Sequence, residues 1–159
     1  MKHAISLLLA VLLILSATAF AMEVPQIQSD LFICAKQAVG CLVTGEYERL
    51  VTLLPFSDVS PSASEWQNFV EGNFIAMPEV AQCEYSVAYW NGNVWKLAVP
   101  VCEPVEDTVE TLVLTSLDGI LFSGYGYATW AEVKSEYLFA PYVTWDVEYL
   151  GSAPIITID

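Results

Sequence analysis

The chain reads as an exported α+β domain, with N-terminal helices packed on an antiparallel sheet. Three observations point there. Apolar residues recur at helical spacing from Gln26 to about Phe74, four β-like segments run from Gln82 to Tyr127 around two compact turns, and no linker separates the two regions. One domain follows, because residues 22–159 are enough for a sizeable core and contain no internal repeat or low-complexity stretch.

The first residues are a leader. Met1-Lys2-His3 is a short basic start, Ile5 to Leu15 an almost unbroken apolar run, and Ala19-Phe20-Ala21 a small-x-small exit. That is the pattern of a cleavable signal peptide over residues 1–21. The rival is an uncleaved anchor, since Ala4 to Met22 is nearly long enough to span a bilayer. The short basic region and the small-residue exit favour cleavage, which gives a secreted or extracytoplasmic protein with no stable membrane anchor.

Behind the leader, Ile27, Leu31, Cys34, Ala38, Cys41 and Leu42 predict one helix with a buried stripe from Gln26 to about Thr44, ended by Gly45. Tyr47, Leu50, Val51 and Leu54 predict a second, stopped by Pro55. Ser62-Ala63-Ser64-Glu65 is a capping box that opens a third through Trp66, Phe69, Val70 and Phe74. Past the sheet, Thr129-Trp130-Ala131-Glu132 repeats that capping logic for a short helix to about Leu138. Tyr142 to Tyr149 and Pro154 to Ile158 are further β-like runs, so residues 128–159 form a C-terminal helix-strand extension.

The sheet turns on two hairpins. A two-residue Asn91-Gly92 turn would place Trp95, Leu97, Val99 and Val101 beside Glu84, Ser86, Ala88 and Trp90. A three-residue Asn91-Gly92-Asn93 loop places them beside Cys83, Tyr85, Val87 and Tyr89, making one clean apolar face and turning Trp90 outward. The second register is the expected one. In the other hairpin Asp118-Gly119 marks the turn, with Leu112 and Leu114 on one face and Val109 and Val113 on the other, so the sheet is covered at least in part on both sides.

Composition excludes much chemistry. The lone histidine, His3, leaves with the leader, so no imidazole remains for a triad, a zinc site or a neutral-pH base. Lys36, Arg49, Lys96 and Lys134 face nineteen acidic residues, a formal charge of 4 − 19 = −15. Such a chain repels phosphate backbones, and nucleic acid is excluded as a partner. No Asp-x-Asp loop calls for calcium, and no cofactor is implied. Cys34, Cys41, Cys83 and Cys102 are even in number in an exported chain, which allows three pairings; bridges and free buried thiols both stay open. On one helix Cys34 and Cys41 would stand ~10 Å apart, too far to bridge each other.

The order of elements, with Gly45, Glu46, Tyr47, Leu50 and Leu54 opening the second helix, resembles the nuclear-transport-factor-2-like superfamily of cone-like folds over about residues 26–127. That resemblance implies a sheet curled around a helix to form an apolar pocket. Members of the superfamily range from isomerases, dehydratases and cyclases to binding modules, and the enzymes commonly pair an aspartate or histidine base with a tyrosine donor. No carboxylate here falls unmistakably on the apolar face, so no catalytic residue is carried over.

In the expected register Tyr85, Tyr89 and Trp95 face the pocket with Trp66 nearby, as ligand contacts or as plain core. The expectation is a binding or interaction module with an apolar pocket or sheet surface, leaning against catalysis. Its partner is a small apolar ligand, another protein or a second copy across the sheet. The alternatives are a histidine-free isomerase- or cyclase-like enzyme, and carbohydrate or cell-surface binding through exposed aromatics such as Trp90, Tyr125/Tyr127 and Trp145/Tyr149. N-terminal sequencing of the exported protein should find Met22 first; Met1 or Lys2 on the cell-associated protein would contradict the cleavage.

Overall fold

Among the described residues three helices, a four-strand meander, a fourth helix and a returning strand follow one another. The computed structural model describes residues 23–81 and 86–146; residues 1–21, expected to be a leader, Cys83, Glu84, Tyr85 and the run Pro154 to Ile158 lie outside the described residues. The elements are α1 (Ser29–Thr44), α2 (Tyr47–Leu53), α3 (Ala63–Asn73), β1 (Val87–Trp90), β2 (Trp95–Pro100), β3 (Glu110–Ser116), β4 (Gly124–Thr129), α4 (Trp130–Tyr137) and β5 (Tyr142–Trp145).

Local chemistry sets the helix ends. Gly45, at φ 73°, closes α1, and the Glu46 amide donates back to the Cys41 carbonyl at 2.8 Å. At α3 the Glu65 amide donates to Ser62 Oγ while the Ser62 amide donates to the Glu65 carboxylate at 2.7 Å. Thr129 and Glu132 make the same reciprocal pair at α4. All three signals act where the sequence places them.

The five strands form one open, curved, antiparallel sheet in the order β4-β3-β2-β1-β5. Its register corrects the expected one. Trp90 pairs with Trp95 and Ala88 with Leu97, so the connection is a four-residue loop, Asn91 to Val94. The Asn91 side chain is the reason: its Oδ1 accepts the amides of Asn93 and Val94, both at 3.0 Å, while the Asn91 amide donates to the Val94 carbonyl at 3.2 Å. Gly92, at φ 106°, supplies the backbone bend.

This register shifts the pairing by one residue and exchanges the faces of β1 relative to β2. Ala88 and Trp90 join Trp95, Leu97, Val99, Leu112 and Leu114 beneath α1, α2 and α3. Val87 and Tyr89 join Ala98 and Val113 on the opposite face, beneath Trp130 and Val133 of α4. The sheet is therefore covered on both sides, as the alternation in the second hairpin predicts.

Two further ties hold the layers. Glu110 is buried, and its carboxylate accepts the amides of Ile75 at 2.6 Å and Ala76 at 3.1 Å, fixing the chain leaving α3 onto β3. An ion pair between Lys36 and Asp146 joins α1 to the end of β5. Cys34, Cys41 and Cys102 are free thiols, so there is no disulfide among the described residues; Cys83 lies outside them. Burial raises the Cys34 and Cys41 thiols, with Asp30 adding to the first, which keeps both protonated at neutral pH.

Leu97 is fully buried under the helices. Leu97→Ala should cost ~2 to 5 kcal/mol in urea unfolding, and a loss below ~0.5 would contradict its place in the core.

Candidate functional site

Of the four aromatic residues expected to share a pocket, the three that are described do not converge. Trp66 is fully buried, its ring centroid 4.3 Å from Tyr125 and 5.8 Å from Phe69. Trp95 lies in the same inner layer, and its indole N–H donates to the Pro25 carbonyl at 2.7 Å. Tyr89 is on the other side of the sheet, and Tyr85 lies outside the described residues. Phe56, Phe69 and Phe122 pack with Trp66 and Tyr125, so rings fill the inner space.

Trp90, expected outside, is buried against Trp95 at 5.8 Å. Tyr125 and Tyr127 turn inward, Tyr127 lying 5.1 Å from Phe74, and Trp145 packs on Tyr137 at 5.5 Å. The described members of the proposed stacking row therefore do not form an open aromatic platform.

On the outer face a shallow groove of about 280 Å³ runs between α4 and the strands, along Gly124 and Gly126. Here the Tyr89 hydroxyl donates to Glu136 at 3.0 Å, and Lys96 donates to the same carboxylate oxygen. Burial, reinforced by Glu136, pushes the Tyr89 phenol well above its ordinary range, so at neutral pH it stays protonated and can donate to Glu136. One Glu136 oxygen is thus engaged by two donors, an arrangement that fastens α4 to the sheet.

A larger concavity, about 1080 Å³, opens at the start of α1. Its walls are the segment leading into that helix, the turn after β3, and the end of β5. The lead-in segment is pinned twice, by the Trp95 bond to Pro25 and by the Gln28 amide donating to the Gly119 carbonyl at 2.9 Å. Gly119 is required there: it adopts φ 76°, and a Cβ would come within 2.4 Å of the Gln26 carbonyl oxygen. Asp118 Oδ1 accepts the amides of Ile120 at 2.8 Å and Leu121 at 3.0 Å, and these bonds hold its carboxyl below the usual carboxylate range.

Large apolar side chains line this groove beside acids. Ile33 is 44 % and Ile120 47 % exposed, with Phe32 and Trp145 near them and Asp30 and Asp118 among the lining residues. The sequence does hold a faint trace of it. Ile33 lies off the buried stripe of α1, and Ile120 directly follows a turn, so neither has a reason to be apolar from core packing alone.

Among the described residues no three His, Cys, Asp or Glu side chains gather as a metal-holding group. Compared with known proteins, the chain matches no family model, no curated protein and no solved structure.

Because Asp118 titrates lower in the folded chain than in the unfolded one, its contribution is complete above the ordinary carboxylate range and is lost as pH falls through the folded value. Asp118→Asn keeps an acceptor for the turn amides but removes that titration. Melting temperatures of the variant should fall less steeply than those of the parent between about pH 5 and pH 3. Equal slopes would show that the turn bonds are not formed.

Proposed function

We propose that this is an exported, non-catalytic binding module, and that it makes contact through the groove between the start of α1, the Asp118-Gly119-Ile120 turn and β5. The observation that carries this is the pairing of a filled core with a well-braced groove in which Ile33 and Ile120 stay exposed. Large aliphatic side chains left in water beside a rigid concavity gain free energy when a partner covers them. Three N-terminal helices on one face of a curved antiparallel sheet support a cone-like fold, with its interior closed and its binding surface moved to the edge.

The enzyme reading finds less support. Two carboxylates that meet the buried layers are already engaged, Glu110 by the Ile75 and Ala76 amides and Glu136 by Tyr89 and Lys96. Neither stands against an open apolar space as a general base would.

Amide NMR spectra of the protein beginning at Met22 test the reading. The probes are a neutral alkyl glycoside, a peptide alternating Lys with Leu, and one alternating Glu with Leu. At least one should move the amides of Gln28, Ile33 and Ile120 ahead of the rest, and Ile33→Arg should abolish the effect. Probes that all leave these amides unmoved, or that centre their shifts on Gly126 in the outer groove, would overturn it.

A further inference from the structure

We infer that the groove receives a basic, amphipathic peptide segment of a partner protein, its aliphatic side chains against Ile33 and Ile120 and its Lys or Arg side chains against Asp30 and Asp118. This rests on the binding reading above and adds the chemical class of the occupant.

Charge complementarity carries it. Each basic residue of the described chain is already engaged by an acid: Lys36 by Asp146, Arg49 by Glu46, Lys96 by Glu136 and Lys134 by Asp107. Asp30 and Asp118 line the groove with no basic partner among the described residues. The N-terminus of α1 offsets roughly half a unit of charge near Asp30, and Asp118 Oδ1 is shared with the Ile120 and Leu121 amides, so the two acids attract a cation together. A formal charge of −14 over the whole sequence adds a negative field that draws in cations and repels anions.

The apolar part separates a peptide from a simple cation. A bare metal ion or polyamine would leave Ile33 and Ile120 in water, whereas alternating Lys and Leu side chains meet both kinds of lining group.

Titration calorimetry of the protein beginning at Met22 tests this with the Lys-Leu and Glu-Leu peptides. The Lys-Leu peptide should bind, several-fold more weakly when salt rises from about 0.05 to about 0.2 M. The double variant Asp30→Asn, Asp118→Asn should bind about fivefold more weakly still, at one salt concentration, and Ile33→Ser should weaken binding by a similar factor. Asp58→Asn with Glu103→Gln, exposed acids that do not line the groove, should leave affinity unchanged. Equal loss in that control would reveal attraction by net charge alone and overturn the inference.

Preference for the Glu-Leu peptide or the neutral glycoside would overturn the inference while leaving the binding reading intact. If none of the probes reaches the groove, both fall. Binding of the Lys-Leu peptide that appears only after residues 147–159 are deleted would assign the groove to the chain's own end and also overturn the inference.

Discussion

The side chain of Asn91 decides how the two halves of the sheet meet. By accepting the amides of Asn93 and Val94 it closes a four-residue loop and pairs Trp90 with Trp95. A loop shorter by one residue would send Trp90 toward α4 and Tyr89 toward α1, because a strand's side chains alternate with a period of two. Everything downstream inherits that choice. Trp90 packs edge-on against Trp95 in the helical layer, Tyr89 reaches Glu136 on the other side, and Trp95 is left facing Pro25, where its indole N–H holds the lead-in segment of α1.

The consequence is a closed interior and an open edge. Trp66, Phe56, Phe69, Phe122 and Tyr125 pack together in that layer, ring against ring. The lead-in segment is drawn against the Asp118-Gly119 turn instead, at a distance only glycine tolerates. That close approach builds one corner of the groove. The Lys36–Asp146 ion pair braces its far side by joining α1 to β5.

Scarce positive charge is used for joining elements. Lys36 links α1 to the end of β5, Lys96 links β2 to α4, and Lys134 links α4 to the loop before β3. Partly exposed pairs of this kind add little stability, commonly under about 1 kcal/mol each, but they bias which surfaces meet. Asp30 and Asp118, by contrast, stand at the groove with no basic partner among the described residues.

Sequence alone determined the features that depend on near neighbours. The Ser62 and Thr129 capping boxes, the Gly45 stop, the Asp118-Gly119 turn and the buried stripe of α1 were legible because each is a contact within a few residues of chain. The two-sided sheet was legible in the alternation of Leu112, Val113 and Leu114. The hairpin register was not, because loops of three and four residues both suit Asn-Gly and differ only in which long-range packing they permit. Tertiary structure likewise decided the candidate site. Ile33, Asp118 and Trp145 belong to α1, a turn and β5, and only the folding of distant segments onto one another brings them to a common groove.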